Sequence, residues 1–334
     1  MKKTGFLVII ILAVFPLIDR LVHFNIAGDL PPIFIFGLLA LGLNIIVGFT
    51  GLLNIGTAAF FAIGVYAAGI LTSPLYPFQI GFWKAFLIVP VITALAGLVL
   101  GSPTLRLKGD YLAIVTLGFG EMIQVVLKNL EPITMGTKGI NPVPVPHLFG
   151  KEFFSEEIFF WYYFTLIILG GCTFICRNLE RSWLGQAWVA VREDELAALC
   201  MGINTTRYKL LAFAIGAFFS GLAGVLYASY LQSTAEPGNY DFAVSIMILC
   251  MVLIGGIGNI YGVLLGTGLL MVFDRIIAPL LTKELSALLG GPESILLNFN
   301  NWRWLIFGLV LVLMMRWRPE GLLPSRRFKA ELHR

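Results

Sequence analysis

Glu121 and Gln124 stand one helical turn apart inside the apolar run 111–128, just after Gly118 and Gly120. A carboxylate in the middle of such a run is costly in hydrocarbon unless it is paired or faces a water-filled cavity. Two roles are open to Glu121. It can be a pathway residue that meets solute or moves with gating, or a hydrogen-bonded carboxyl that holds two helices together. Asn44, Asn54 and Thr57 flank a glycine-rich turn, where they can line the same path or bond across helices. Asp274 and Arg275 fall near a helix end and either reach the interface or pair. No catalytic residue emerges. His23, His147 and His333 lie far apart, and no run holds paired carboxylates or a Ser/His set. Cys172 and Cys176 share a helix face, but no His or further Cys stands near to complete a metal site. With Cys200 and Cys250 they read as small buried hydrophobes, and no cofactor is expected.

These side chains need a frame, and composition says which kind. Of 334 residues, 58% are hydrophobic and 13% charged, about half the charged share of an ordinary soluble domain. Apolar runs fall at about 5–22, 32–49, 55–72, 84–103, 111–128, 158–176, 210–231, 243–258, 260–277 and 303–316, many near the roughly 20 residues that span a bilayer. The expected fold is therefore all-α: a polytopic integral membrane protein with about ten transmembrane helices, forming one domain over 1–334. The first run lacks a small-x-small cleavage site and reads as an uncleaved span.

Charge orients the spans. With both termini cytoplasmic, most of the 23 Lys and Arg residues fall inside, including Lys2, Lys3, Arg106, Lys108, Arg192, Arg207, Lys209 and Arg318. Glu131, Glu152, Glu156, Glu157, Glu236 and Asp241 fall outside. Dropping one helix would strand a basic terminus on the wrong side. No basic tract with interleaved aromatics points to nucleic acid. Glycines add a packing signal: Gly97 and Gly101, and Gly258, Gly262 and Gly266, recur every four residues, a spacing that brings helix backbones close in lipid. The run 254–259 also reads as a break between two short antiparallel helices. Two five-helix halves would be inverted relative to each other, and Val47–Gly51 faintly echoes Ile254–Gly258.

The loop 177–209 is the longest segment expected in the cytoplasm. Arg192 to Met201 has helical spacing, with Glu193, Asp194 and Glu195 in the first turn and Gly202 where a C-terminal cap belongs. Leu196, Leu199 and Ile203 make an apolar stripe beside Ala197 and Ala198. Such a stripe packs either on a partner or on the chain's own membrane domain.

The stretches Val191–Ala198 and Met201–Phe213 resemble the ATPase-contacting loop of high-affinity branched-chain amino acid permeases of the LivM type. Gly51–Gly56 with Ala58–Gly64, Gly109–Glu121, and Arg318–Leu323 resemble further signatures of that family. The resemblance covers most of 38–323. It implies an ATP-binding-cassette importer in the cytoplasmic membrane of a prokaryote. Two ATP-binding subunits, a second related permease and an extracytoplasmic substrate-binding protein would be the partners, besides the lipid bilayer. Arg192, Glu193, Asp194, Glu195, Ala197, Ala198 and Gly202 would carry the contact with the ATPase. The chain has no G-x-x-x-x-G-K-[ST] phosphate loop, so ATP would be hydrolysed by other subunits. The proline-stiffened loop 129–157 would contribute to the docking surface for the binding protein.

Two competitors remain at this stage. A permease for urea or short amides would share the family pattern. A gradient-driven secondary transporter would share composition and glycine packing, but Glu121 alone makes a thin proton relay.

Overall fold

The computed structural model describes residues 15–16, 26–104, 109–148, 151–154, 157–289, 299–318 and 320–323. The expected first span at 5–22 lies almost wholly outside them, as do Arg106, Lys108 and the tail after 323. In chain order the main helices are α1 (Ala27–Phe49), α2 (Thr57–Thr72), α3 (Phe82–Thr104), α4 (Asp110–Asn129), α5 (Ile158–Arg181), α6 (Trp183–Glu193), α7 (Glu195–Cys200), α8 (Thr205–Leu231), α9 (Phe242–Gly255), α10 (Ile260–Lys283, continuing to Leu289) and α11 (Phe299–Trp317). A hairpin of two residues a side, His147–Leu148 against Lys151–Glu152, is the sheet among the described residues.

Helices α1, α3, α4, α5, α8 and α10 are long and apolar enough to cross a membrane, and α2, α9 and the 304–317 part of α11 are shorter apolar helices. Each expected apolar run after the first thus has its helix, and the chain is a multi-pass membrane protein. One boundary moves substantially: the run 260–277 continues through a π-helical turn, Phe273–Ile277, into a helix that ends at Leu289.

Helix α1 is apolar on every side, so it has no polar face to give to water and takes the centre of the bundle. Helices α5, α8, α9 and α10 surround it. Helix α8 shows why they come so close. Its small residues at 216, 217, 220, 221, 224 and 228 turn toward α1, α2 and α3. A methyl group on Gly42 would sit 2.8 Å from the Gly216 carbonyl oxygen, and one on Gly64 would sit 2.8 Å from the Gly221 Cα. Gly97 faces Ala217 and Gly101 faces Leu210 and Phe213, all on α8. Backbone approach of this kind maximises van der Waals contact where no hydrophobic drive exists between helices in lipid.

The second glycine series needs correction. Gly262 and Gly266 lie on α10 against the backbone of Met251 and Gly255 in α9, but Gly258 is not on that helix face. It sits in the turn between α9 and α10 with φ of +77°. The same turn holds Gly256 at φ +117°, a region that excludes side chains and so ends α9. The break expected at 254–259 is there. Its opposite number in the sequence echo, Val47–Gly51, lies against it: a methyl on Gly48 would come 2.9 Å from the Gly258 nitrogen.

Connections sort to two ends of the bundle. At one end the segments around 50, 109, 192, 209 and 257 line one cavity, and Leu322 and Leu323 donate to the carbonyls of Ile254 and Gly255. At the other end Ile140 exchanges hydrogen bonds with Thr234, Val143 donates to Gln232 O, and Trp83 Nε1 donates to His147 O.

Candidate functional site

The segment after α5 is two helices with a hinge residue between them, not a single helix from 192 to 201. Ser182 opens α6 by accepting from the Gly185 N–H. Asp194 then leaves the helical region (φ −153°, ψ 109°), and its carboxylate accepts from the N–H groups of Leu196 and Ala197. An aspartate at an N-cap satisfies donors that the helix cannot satisfy itself, so the chain restarts at Glu195. Arg192 and Glu193 consequently belong to the end of α6. Gly202, at φ +83°, closes α7 as the sequence leads one to expect: its N–H meets Leu199 O and the Ile203 N–H meets Ala198 O. That pair of bonds is a Schellman cap.

The two helices differ in what they touch. Trp188 of α6 is fully buried, stacked on Phe49 with ring centroids 6.3 Å apart, and its Nε1 donates to Tyr208 O at 2.8 Å. Arg192 turns inward and donates from Nη1 to the Gly48 carbonyl. Glu195 forms a 2.6 Å ion pair with Lys209, whose side chain is only 7% exposed. Glu195 keeps 29% exposure, so removing it costs less than the roughly 3–5 kcal/mol of a fully enclosed pair, but it still leaves the Lys209 charge without compensation. These bonds fix the loop to α1 and α8. Helix α7, by contrast, buries Ala198 and presents Leu196, Ala197, Leu199, Cys200 and Met201 outward, with Met201 82% exposed. Among the described residues nothing covers this face. Beside it opens a cavity of about 490 Å³ bordered by Val47, Thr50, Leu52, Arg192, Glu195 and Lys209.

The polar residues of the spans fall in three places. Asn44 is 1% exposed in a π-helical turn, Asn44–Phe49, and its Oδ1 accepts from Gly258 N at 2.9 Å. Asn54 and Thr57 lie together where the chain enters α2. Asn54 Oδ1 accepts from Gly56 N, while Asn54 Nδ2 and Thr57 Oγ1 are buried without a hydrogen-bond partner. On α4, Gln124 is buried and donates to Gly238 O at 3.5 Å, but Glu121 is exposed. The structure therefore does not bring Glu121 and Gln124 to a shared contact. Glu121 shares its open face with Ile114, Met122 and Val125, each more than half exposed. A carboxylate at mid-helix on such a face has to meet water or another protein chain, because hydrocarbon would charge it too heavily.

At the opposite end, Tyr240 anchors the turn before α9. It is 2% exposed and donates to Thr234 O at 2.6 Å. Burial pushes its phenol well above the ordinary range, so it keeps its proton and its hydrogen bond at any physiological pH.

Sequence reasoning missed Lys209, Trp188 and the small-residue stripe of α8 as positioning elements. The stripe was legible as Gly216-x-x-x-Ser220-x-x-x-Gly224-x-x-x-Ala228, a four-residue repeat of small side chains. The partners of Arg192 and Lys209 were not, since the first depends on how α1 ends and the second on how α7 lies against α8.

Comparison with known proteins places these features in a family. A family model described as branched-chain amino acid transport system, permease component, matches residues 26–315. The high-affinity branched-chain amino acid transport system permease protein LivM of Salmonella typhimurium is 39% identical over 319 residues, covering 89% of this chain and 70% of the relative. Its counterpart in Escherichia coli is 38% identical over the same coverage. The permease protein LivH of Salmonella typhimurium is 25% identical over 268 residues, covering 75% of this chain and 83% of that one. No solved structure matches the chain.

Proposed function

The chain belongs to the family of branched-chain amino acid transport system permease components, and we propose that it is the membrane-spanning permease subunit of an ATP-binding-cassette importer that carries leucine, isoleucine and valine into the cytoplasm. Ten spans with both termini cytoplasmic complete the topology. The sorting of connections supports this, because every described segment expected inside meets others at one end and 130–148 meets 232–235 at the other. The loop 177–209 is then the cytoplasmic coupling loop of a single domain over 1–334.

The observation that carries the reading is the uncovered apolar face of α7 on a rigidly held base. Each of Leu196, Leu199 and Met201 is worth about 1.5–3 kcal/mol when fully buried, and a groove on an ATP-binding subunit is the surface we assign to them. Two such subunits, a second related permease and an extracytoplasmic binding protein make up the working importer in a prokaryotic cytoplasmic membrane. Glu121 faces the second permease across the translocation pathway, which supplies the water or protein its carboxylate needs. Gln124, Asn54 and Thr57 lie behind that face, and Gly97, Gly101, Gly262 and Gly266 hold the helices that carry it.

The test is uptake of labelled leucine at sub-micromolar concentration in cells with and without this chain, with labelled urea alongside. Loss of leucine entry alone upholds the substrate class. Loss of urea entry with leucine entry intact would keep the importer and replace its substrate.

A further inference from the structure

Arg192 stands in the stretch that resembles the family's ATPase-contacting loop, yet its guanidinium points inward. It donates to Gly48 O at 2.5 Å, and its stem fills the space beside Gly51, where an added Cβ would lie 2.9 Å from Arg192 Cγ. Gly48 belongs to the π-helical turn that ends α1. The first residue of that turn, Asn44, holds Gly258 N through its Oδ1. Gly258 in turn lies in the break between α9 and α10, where Asn259 Nδ2 donates to Leu323 O. The π turn is thus tied at one end to the loop helix α6 by Arg192 and at the other to the turn of the α9–α10 hairpin by Asn44.

A π turn is an α-helix with one residue too many. Shifting its register by a residue turns the adjoining segment by about 100°. Such a shift would give the turn a second discrete arrangement, which is what transmission between distant sites requires. Gly48 is the residue the geometry demands there, because a side chain would collide with both Asn44 and Gly258. We propose that Arg192 and Asn44 are positioning residues that pass displacement of α6 through the π turn Asn44–Phe49 to the break at 256–259. On this arrangement Ala197 and its neighbours receive the push from the ATP-binding subunit, and Arg192 delivers it into the membrane. The inference rests on the importer reading above.

The complete importer in proteoliposomes tests it, with leucine uptake, ATP hydrolysis and retention of the ATP-binding subunits measured side by side. Arg192→Met keeps the stem against Gly51 and removes the donor, and Asn44→Leu removes the acceptor at similar size. Each is expected to retain the ATP-binding subunits and to lower leucine imported per ATP hydrolysed about tenfold, the scale of a lost hydrogen bond to a charged or buried group. Arg192→Lys, which keeps a cationic donor, should recover most of that ratio. The double variant should lose no more than the worse single one, because two links in series break the same path. If Asn44→Leu fails to insert, the two variants at the partly buried Arg192 decide the matter. An unchanged ratio in Arg192→Met, or losses that multiply in the double variant, overturns the relay. So does loss of the ATP-binding subunits from Arg192→Met, which would put Arg192 on the docking surface and leave the importer reading standing. Should the wild-type importer move urea and not leucine, the substrate reading fails by itself and the same ratio is read with urea.

Discussion

Helices α1 and α4 are both apolar enough to cross a membrane, and they treat a polar side chain in opposite ways. Every residue in the most apolar stretch of α1 is buried, against 28% of the corresponding stretch of α4. Asn44 in α1 is enclosed and bonded to a main-chain N–H from another helix pair. Glu121 in α4 is left open among Ile114, Met122 and Val125. Asn44 is thus satisfied by the chain itself, whereas Glu121 is left on the outer face of the single chain. The first arrangement holds helices together within the chain, and the second is the one the proposed importer fills with a partner or water.

The contrast can be broken most forcibly at α1. Gly48→Val should abolish folded protein in the membrane, because its Cβ alone would collide with the Asn44 amide and the Gly258 backbone and overpacking a rigid site costs about 1–3 kcal/mol before any further carbon is added. Membrane abundance measured by immunoblot checks this, and wild-type abundance with uptake intact would mean the π turn relaxes freely. Next comes α7, the other uncovered apolar surface. Ala197→Glu should leave abundance unchanged and lower uptake about a hundredfold by placing an unpaired charge in a desolvated contact. Retention of the ATP-binding subunits on that variant during purification would remove α7 from the docking surface. At Glu121, Glu121→Gln should lower uptake about tenfold, the loss expected from one charge-assisted hydrogen bond, with abundance unchanged. Undiminished uptake would demote the carboxylate to a structural group. The smallest effect is at Gly118, three residues before Glu121, where an added Cβ meets nothing within the chain. Gly118→Ala should raise the stability of the isolated chain by about 0.5–1 kcal/mol, the helix preference of alanine over glycine. Lost pairing with the second permease in that variant would show that another helix packs there tightly.

How far the sequence alone reached follows the same division. The spans of α1, α3 and α8 are visible because an unbroken apolar run is a property of local composition. The end of α7 was equally legible, since Gly202 is the residue a left-handed cap requires. The start of α7 was misplaced by treating 192–201 as one helix. Glu193, Asp194 and Glu195 all suit a first turn electrostatically, and only the backbone shows that Asp194 is the cap. Gly258 was assigned to a helix face by its spacing from Gly262, though spacing has meaning only within one continuous helix and Gly256 interrupts it. The partners of Arg192, Lys209 and Asn44 lie 144, 14 and 214 residues away along the chain. Contacts at the longer two separations are set by how whole helices pack, and no local pattern announces them.

The most direct test of the central claim is uptake of labelled leucine into proteoliposomes that contain this chain with its partner permease, ATP-binding subunits and binding protein. One set is loaded with ATP and has no ion gradient, and the other carries a proton gradient without ATP. The importer proposed above predicts entry in the first set alone, abolished by Ala197→Glu. Entry driven by the gradient without ATP, and indifferent to that substitution, would contradict the assignment of α7 as the point where ATP hydrolysis reaches the membrane.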